Sequence, residues 1–254
     1  MTPDKQQRLQ ESRYQFPYHY IPDLDDDGNF TQVRTLRWGY EYLAYVRFVL
    51  AKLQALTFDT LLDAGCGDGR FLFELRKLFP EKELVGLDNS EQAIRFAKVL
   101  SPNAEYVLGA ISNPVLLRRE FDVITLIEVL EHIPPDSLAE VVRGLAGRLK
   151  PGGTLVLTVP STNVTVARKH YQHFDRPSLE DVLRPFFTVE ECWFINKKFA
   201  GVKWLECLLT NRLFILNRQR LLNWLYRTYE KRYLHAQPHT AKRLCALCRK
   251  PAAS

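Results

Sequence analysis

Three glycines at alternate positions, Gly65, Gly67 and Gly69, follow the apolar run Leu61-Leu62-Asp63-Ala64, and a second apolar run, Glu83-Leu84-Val85-Gly86-Leu87, ends in Asp88. Residues without a side chain let the backbone bend sharply and approach a ligand closely. A carboxylate at the tip of the next strand, roughly 20 residues on, is placed to accept the hydroxyls of a ribose. This is the chemistry of a nucleotide-like ligand held at a strand-to-helix turn. A second use of the same residues stays open, since Asp88 or Ser90 could cap the helix that follows.

A second group of residues could act on a bound substrate. Glu128-Val129-Leu130-Glu131-His132 follows an apolar run, and Arg168-Lys169-His170-Tyr171-Gln172-His173 lies further on. If residues 128–132 form one helical turn, their spacing puts Glu128, Glu131 and His132 on one side. Two chemistries fit. His132, His170 or His173 could take a proton from an acceptor, because a histidine titrates near neutrality. Alternatively Glu128, Glu131, His132 and His170 or His173 could hold a divalent cation that acidifies the acceptor.

The elements that must position these residues are legible from periodicity. Apolar runs near 59–63, 83–88, 104–108, 121–127, 153–159, 187–195 and 242–249 read as strands, and Leu36 to Leu56 carries apolar residues at helical spacing. Strands and helices alternate through about residue 149, the pattern of a mostly parallel sheet with helices on both faces. Residues 1–35 hold Pro3, Pro17, Pro22 and Asp25-Asp26-Asp27-Gly28, which is loop chemistry.

With the motifs in this order the chain resembles the class I S-adenosylmethionine-dependent methyltransferases. The resemblance is carried by Asp63 through Gly69, Gly86-Leu87-Asp88, Phe121-Asp122-Val123-Ile124, Glu128 through His132, and Leu149-Lys150-Pro151-Gly152-Gly153-Thr154-Leu155, and covers about residues 58 to 195. It implies a Rossmann-like, doubly wound α/β fold with seven strands in the order 3-2-1-4-5-7-6, the last antiparallel. It implies S-adenosylmethionine as cofactor, with Asp63, Gly65 and Gly67 at its methionine end and Asp88 on its ribose. Many members of the family carry an acid near the adenine after the third strand. Here stands Gly109-Ala110-Ile111, so backbone groups and apolar contact would hold that ring. The implied cofactor set is Asp63, Gly65, Cys66, Gly67, Asp88, Asn89, Ala110, Ile111 and Ile127, and the implied catalytic set is His132, His170 and His173. The Glu-x-x-Glu-His pattern also resembles the metal cluster of the small-RNA 2′-O-methyltransferases, and in part the ubiquinone-pathway O-methyltransferases. The metal alternative is Glu128, Glu131, His132 and His173. The resemblance thus implies methyl transfer, read here as O-methylation of a small-molecule, glycan or lipid-linked acceptor. An RNA 2′-O-methyltransferase-like enzyme and a non-catalytic cofactor-binding scaffold are the alternatives.

Composition bounds the rest. With 254 residues, 46% of them hydrophobic, the chain can bury one large core. The expected organisation is an N-terminal helix or lid segment at 1–57 and a methyltransferase domain at 58–254. Five scattered cysteines (Cys66, Cys192, Cys207, Cys245 and Cys248) suit reduced thiols better than a disulfide framework. Cys245 and Cys248 lie in an apolar run and read as core residues. No run reaches the ~18 apolar residues of a membrane span. The expectation is a cytoplasmic protein, peripheral at the membrane if it meets lipid.

Residues 196–241 exceed the short connection that the family places before its last strand, and a structureless loop of that length would be unusual, so a helical insertion is expected. Within 197–232 nine basic residues stand against two acidic ones, an excess of seven in a chain whose formal net charge is +6. The same stretch is rich in leucine and aromatic residues. Three partners fit such a segment: the domain itself or a second copy, an anionic membrane surface, or, least expected, nucleic acid.

Overall fold

The computed structural model describes residues 35–113, 119–199, 201 and 219–252. Helix α1 (Thr35–Gln54) leads into β1 (Thr60–Ala64), α2 (Arg70–Leu78), β2 (Glu83–Asp88), α3 (Glu91–Leu100), β3 (Glu105–Leu108) and β4 (Phe121–Ile127). Then come α4 (Leu138–Ala146), β5 (Leu149–Pro160), α5 (Arg176–Leu183), β6 (Thr188–Lys197), α6 (Gln219–Tyr233) and β7 (Ala241–Arg249).

The strands form one seven-stranded sheet in the order β3-β2-β1-β4-β5-β7-β6. The first five are parallel, and β7 is antiparallel to both β5 and β6. Successive strand residues face opposite sides, and the core divides on that period. Leu62, Ala64, Val85, Leu87, Ile124, Leu126, Leu155 and Leu157 pack with α4 and α5. Leu61, Leu84, Val123, Val156 and Cys245 pack on the other face with α1, α2 and α6. Because the chain runs outward from β1 to β3 and then returns to β4 and β5, the order reverses between β1 and β4. The crevice at their carboxyl ends is where open α/β sheets bind ligands.

Three differences from the sequence reading have local causes. Strand β5 begins at Leu149 rather than near 153, because Leu149 already pairs with Phe121 before the register skips to Val123 and Thr154. The skipped residues contain Gly152 at φ +72°, so the strand bulges there. Residues 128–132 do not form a single helical turn: only Leu130–His132 is a 3₁₀ turn, and Glu128 precedes it at φ +56°. Of the expected insertion, 219–233 is helical, Asn196 and Lys197 end β6, and 202–218 lie outside the described residues, as do 1–34.

Among the described residues no helix is long and apolar enough to cross a membrane. Cys66, Cys192, Cys245 and Cys248 are free thiols, and Cys245 and Cys248 are fully buried in β7. Burial pushes the Cys248 thiol up to about 12 and that of Cys245 higher still, so both remain protonated core residues.

Candidate active site

The glycine turn sits at the crevice between β1 and β4. Gly65, Gly67 and Gly69 have φ of 78°, 53° and 79°, conformations that favour glycine. Space makes a second demand at Gly65, where a Cβ would lie 2.5 Å from Cγ2 of Val129. The turn is pinned to β2, Gly65 N–H and Cys66 N–H both donating to the Leu87 carbonyl, at 2.7 and 3.0 Å. Cys66 itself is buried, and burial, with the charge of Asp88 next, holds its thiol well above the usual range.

Both strand-tip acids face this turn. Asp88 accepts Gly67 N–H on Oδ2 and Ser90 N–H on Oδ1, each at 2.9 Å. Ser90 caps α3 by accepting Ala93 N–H, so the capping role falls to Ser90. Asp63 is 2% exposed, and Thr125, opposite it on β4, donates its hydroxyl to Asp63 Oδ1 at 2.8 Å. Burial raises the Asp63 carboxyl to about 7; the Thr125 bond opposes the rise and the Asp88 charge adds to it. Gly109 N–H donates to the Asp88 carbonyl at 2.8 Å, tying the β3 tip to the β2 tip. There Ala110 is exposed and Ile111 buried, while Asn89 is exposed beside Asp88 and Ile127 half-buried at the end of β4. Tyr42, from α1, lies near enough to this turn for Asp68 and Asp63 to reinforce the upward shift that burial gives its hydroxyl.

The histidines adjoin the same crevice, because Val129, which closes on Gly65, belongs to the segment that carries Glu131 and His132. The second loop is tied to that segment by Tyr171 N–H donating to the Glu131 carbonyl at 2.8 Å. The His132 and His170 rings meet edge to face with centroids 4.8 Å apart. Carbonyl partners fix the tautomers, since a carbonyl oxygen only accepts. His132 Nδ1 donates to the Lys169 carbonyl at 3.1 Å and His173 Nδ1 to the Val164 carbonyl at 3.0 Å. In its neutral form His173 then accepts on Nε2 from His170 Nδ1, at 2.9 Å. His132 and His170 are both left with a lone pair on Nε2.

Burial lowers both of those rings, His132 to about 4 with the Lys169 charge second, and His170 to about 3 with the His132 ring second. Beside them Glu131 is 1% exposed and its Oε2 has no hydrogen-bond partner. Burial, reinforced by Glu128, raises the Glu131 carboxyl well above its usual range. One ligand atom each from Glu131, His132 and His170 lies within 4.8 Å of the others. A buried carboxyl and two imidazole nitrogens therefore converge. Of the other candidate ligands, His173 stands behind His170, and Glu128 turns away to Arg243, which donates from Nε to Glu128 Oε2 at 2.9 Å.

Sequence reasoning missed Thr125 and Arg243. Each carried a signal: Thr125 interrupts the apolar run 121–127, and Arg243 is a charge inside a buried strand, which demands a partner.

Residues 61–153 match a family model described as a methyltransferase domain. The ubiquinone biosynthesis O-methyltransferase of Hydrogenovibrio crunogenus is 27% identical over 158 residues, 57% of this chain and 64% of that protein. Over residues 61–153 the chain carries a methyltransferase domain. An uncharacterized methyltransferase of a Synechocystis species is 29% identical over 144 residues, covering 57% of this chain and 63% of the relative. The chain thus spans just under two thirds of the length of these curated relatives. The N-methyltransferase NodS of Bradyrhizobium japonicum, solved with S-adenosyl-L-homocysteine, shares the fold. Its TM-score is 0.62 at 17% identity, over 98% of this chain and 100% of that one.

Proposed function

We propose that this methyltransferase chain transfers a methyl group from S-adenosylmethionine to an acceptor hydroxyl, with His132 and His170 receiving the hydroxyl proton. The cofactor fits the residues present. The glycine turn brings bare backbone up against Val129 at the end of β4, Asp88 places a carboxylate at the β2 tip beside Gly67, and Asp63 in its ionised form suits the ammonium of the methionine end. Cys66, Asn89, Ala110, Ile111 and Ile127 complete the proposed lining. When bound, the cofactor supplies a sulfonium methyl carbon, open to attack from the side opposite sulfur.

The observation that carries the reading is the pair of Nε2 lone pairs beside the glycine turn. Their tautomers are set by backbone carbonyls, so both rings accept at neutral pH without rearrangement. His173 orients His170 and holds its Nδ1 proton. Oxygen as the methylated atom is supported by the name of the curated relative. A small-molecule, glycan or lipid-linked acceptor remains our reading, and a scaffold without turnover is its non-enzymatic rival.

One observation favours a second reading of the activation step. Rings held at about 4 and 3 are weak bases for an unactivated hydroxyl, while Glu131, whose Oε2 has no hydrogen-bond partner, and the two imidazoles bring three metal-ligating atoms within 4.8 Å of one another. Such a set fits a divalent cation held by Glu131, His132 and His170, which would supply acidification of the acceptor. Glu128, engaged by Arg243, falls outside it.

Turnover with a methyl-labelled cofactor, followed by mass spectrometry of the product, tests the proposal. A label on oxygen, lost in a His132→Ala, His170→Ala double variant that still binds S-adenosylhomocysteine, is the expected result. A label on nitrogen or carbon overturns O-methylation. Absence of turnover with hydroxyl acceptors of every proposed class favours the scaffold.

A further inference from the structure

Helix α6 has two faces of opposite chemistry. At about 100° per residue, Leu225 and Tyr229 fall on one side, and both are buried against the core that holds α1 and α2. Asn196 at the end of β6 fixes that face, donating from Nδ2 to the Tyr229 hydroxyl at 2.7 Å. On the opposite side Arg220, Trp224, Arg227 and Lys231 share an arc of about 60°. They line a shallow groove of about 380 Å³, with Arg232 beside them.

The cations on this face are not neutralised. On α2, α3 and α5 exposed bases pair along the helix, as Lys77 does with Glu74, Arg95 with Glu91 and Arg176 with Glu180. Among the described residues, Arg220, Arg227, Lys231 and Arg232 have no ion pair. The single acid of α6, Glu230, turns aside to Arg47 at 3.3 Å and accepts from the Tyr226 hydroxyl. Trp224, 61% exposed, lies within this arc, and Leu221, 38% exposed, flanks it about 60° further round the helix. Phe199, 45% exposed, stacks on Tyr233 at the end of the helix.

We propose that the outer face of α6 docks the protein onto an anionic phospholipid bilayer. Cations would meet lipid phosphates while Trp224 and Leu221 enter the headgroup region, the division of labour of an interfacial helix. The exposed leucine separates this from nucleic-acid binding, which would use the cations and the indole ring but gain nothing from an aliphatic side chain. The segment before α6 points the same way in its sequence, since residues 204–216 hold eight large apolar side chains. The surface lies on the outer side of α6, away from the glycine turn, so it serves to bring the chain to an acceptor and takes no part in the methyl transfer.

Cosedimentation of the full chain with phosphatidylcholine vesicles, with and without phosphatidylglycerol, tests the proposal by binding alone, whatever the catalytic outcome. Expected are binding to the anionic vesicles only and weakening at high salt as charges are screened. Neutralising two cations in R227Q/K231Q should weaken binding roughly twentyfold, about fivefold per residue, with unchanged S-adenosylhomocysteine affinity reporting an intact fold. The control R95Q, on another helix, should bind as the parent does. If the double variant fails to fold, W224A carries the test and should also weaken vesicle binding. Equal binding to neutral vesicles, no binding, or equal loss in R95Q overturns the proposal. So does a salt-sensitive complex with an oligonucleotide, or a dimer formed through this face, in place of vesicle binding.

Discussion

Arg243 reaches from the start of β7 to hold Glu128 at the mouth of the candidate active site, Nε to Oε2 at 2.9 Å. The same guanidinium lies 3.6 Å from Glu41 of α1 and 4.6 Å from the centre of the Tyr45 ring. Glu41 is also engaged by Lys242. Thus α1, β7 and the end of β4 meet in one partly buried charge network. Glu128 needs that support, because it sits at φ +56°, which costs a non-glycine residue on the order of 1–3 kcal/mol. Its backbone is held as well, N–H donating to the Thr158 carbonyl at 3.1 Å.

Removing one partner of such a pair leaves a largely desolvated charge alone. Arg243→Met should therefore destabilise the protein, by up to about 3 kcal/mol in urea unfolding because the pair is partly buried, and adding Glu128→Gln should recover part of the loss. We place Arg243 as a positioning residue, acting through Glu128 on the turn that carries Glu131 and His132. The double variant should accordingly regain stability without regaining turnover. Full turnover in a stable Arg243→Met protein removes the positioning role.

At Gly65 the prediction is steric. Gly65→Ala meets both an unfavourable φ of 78° and a Val129 methyl at 2.5 Å. Calorimetry should show S-adenosylhomocysteine bound at least about tenfold more weakly, the equivalent of about 1.4 kcal/mol. Adding Val129→Ala removes the clash and leaves the backbone cost, so it should restore part of the affinity. An unchanged affinity in the single variant would mean that the turn does not face the cofactor.

Much of this arrangement was legible in the sequence because its signals are local. A strand-tip acid followed by alternate glycines specifies its own turn, and the period-2 apolar runs place all seven strands. The active-site details were less legible for a physical reason. The 128–132 spacing suggested one helical turn with three ligands on one side, but Arg243, more than a hundred residues away, takes Glu128 for its own charge balance. Nor does spacing reveal which of two loop histidines faces His132. That choice is made by the Val164 carbonyl, which fixes His173 and through it turns His170 inward. The partner of Asp63, Thr125, follows only from strand register.

The raised carboxyl of Asp63 makes a pH prediction with a definite sign. Its folded value of about 7 lies above the ordinary 3.8, so the folded protein keeps a proton that the unfolded chain has lost. Its contribution to stability is full below the ordinary value and is lost as pH rises toward about 7. Urea unfolding of the wild type should show this loss relative to Asp63→Asn, and the difference should level off above that pH. Thr125→Val removes the hydrogen bond that favours the ionised form and should move the window upward. Binding should run the other way: a ligand ammonium beside Asp63 favours its ionised form, so S-adenosylhomocysteine affinity should rise with pH to about 7. In Asp63→Asn that rise should be absent; a parallel rise in the variant assigns the titration to another group.

The last prediction separates the two ways in which the histidine cluster could activate a hydroxyl. If His132 and His170 accept the proton themselves, replacing either with Ala should lower turnover by about a hundredfold or more while S-adenosylhomocysteine affinity stays near the parent value. His173→Ala should act through His170, whose Nδ1 loses its acceptor. His173→Gln can still accept a hydrogen bond and should recover part of the activity. If instead Glu131, His132 and His170 hold a divalent ion, activity should vanish on chelation and return with added Mg²⁺, Mn²⁺ or Zn²⁺. Glu131→Gln then decides between them. As a proton-accepting pair the two rings need no carboxylate, so the variant should keep substantial turnover. As part of a ligand set the loss of one charged oxygen should abolish metal-dependent activity. Retained activity in both the Glu131→Gln and the His132→Ala, His170→Ala proteins would remove the cluster from the reaction altogether.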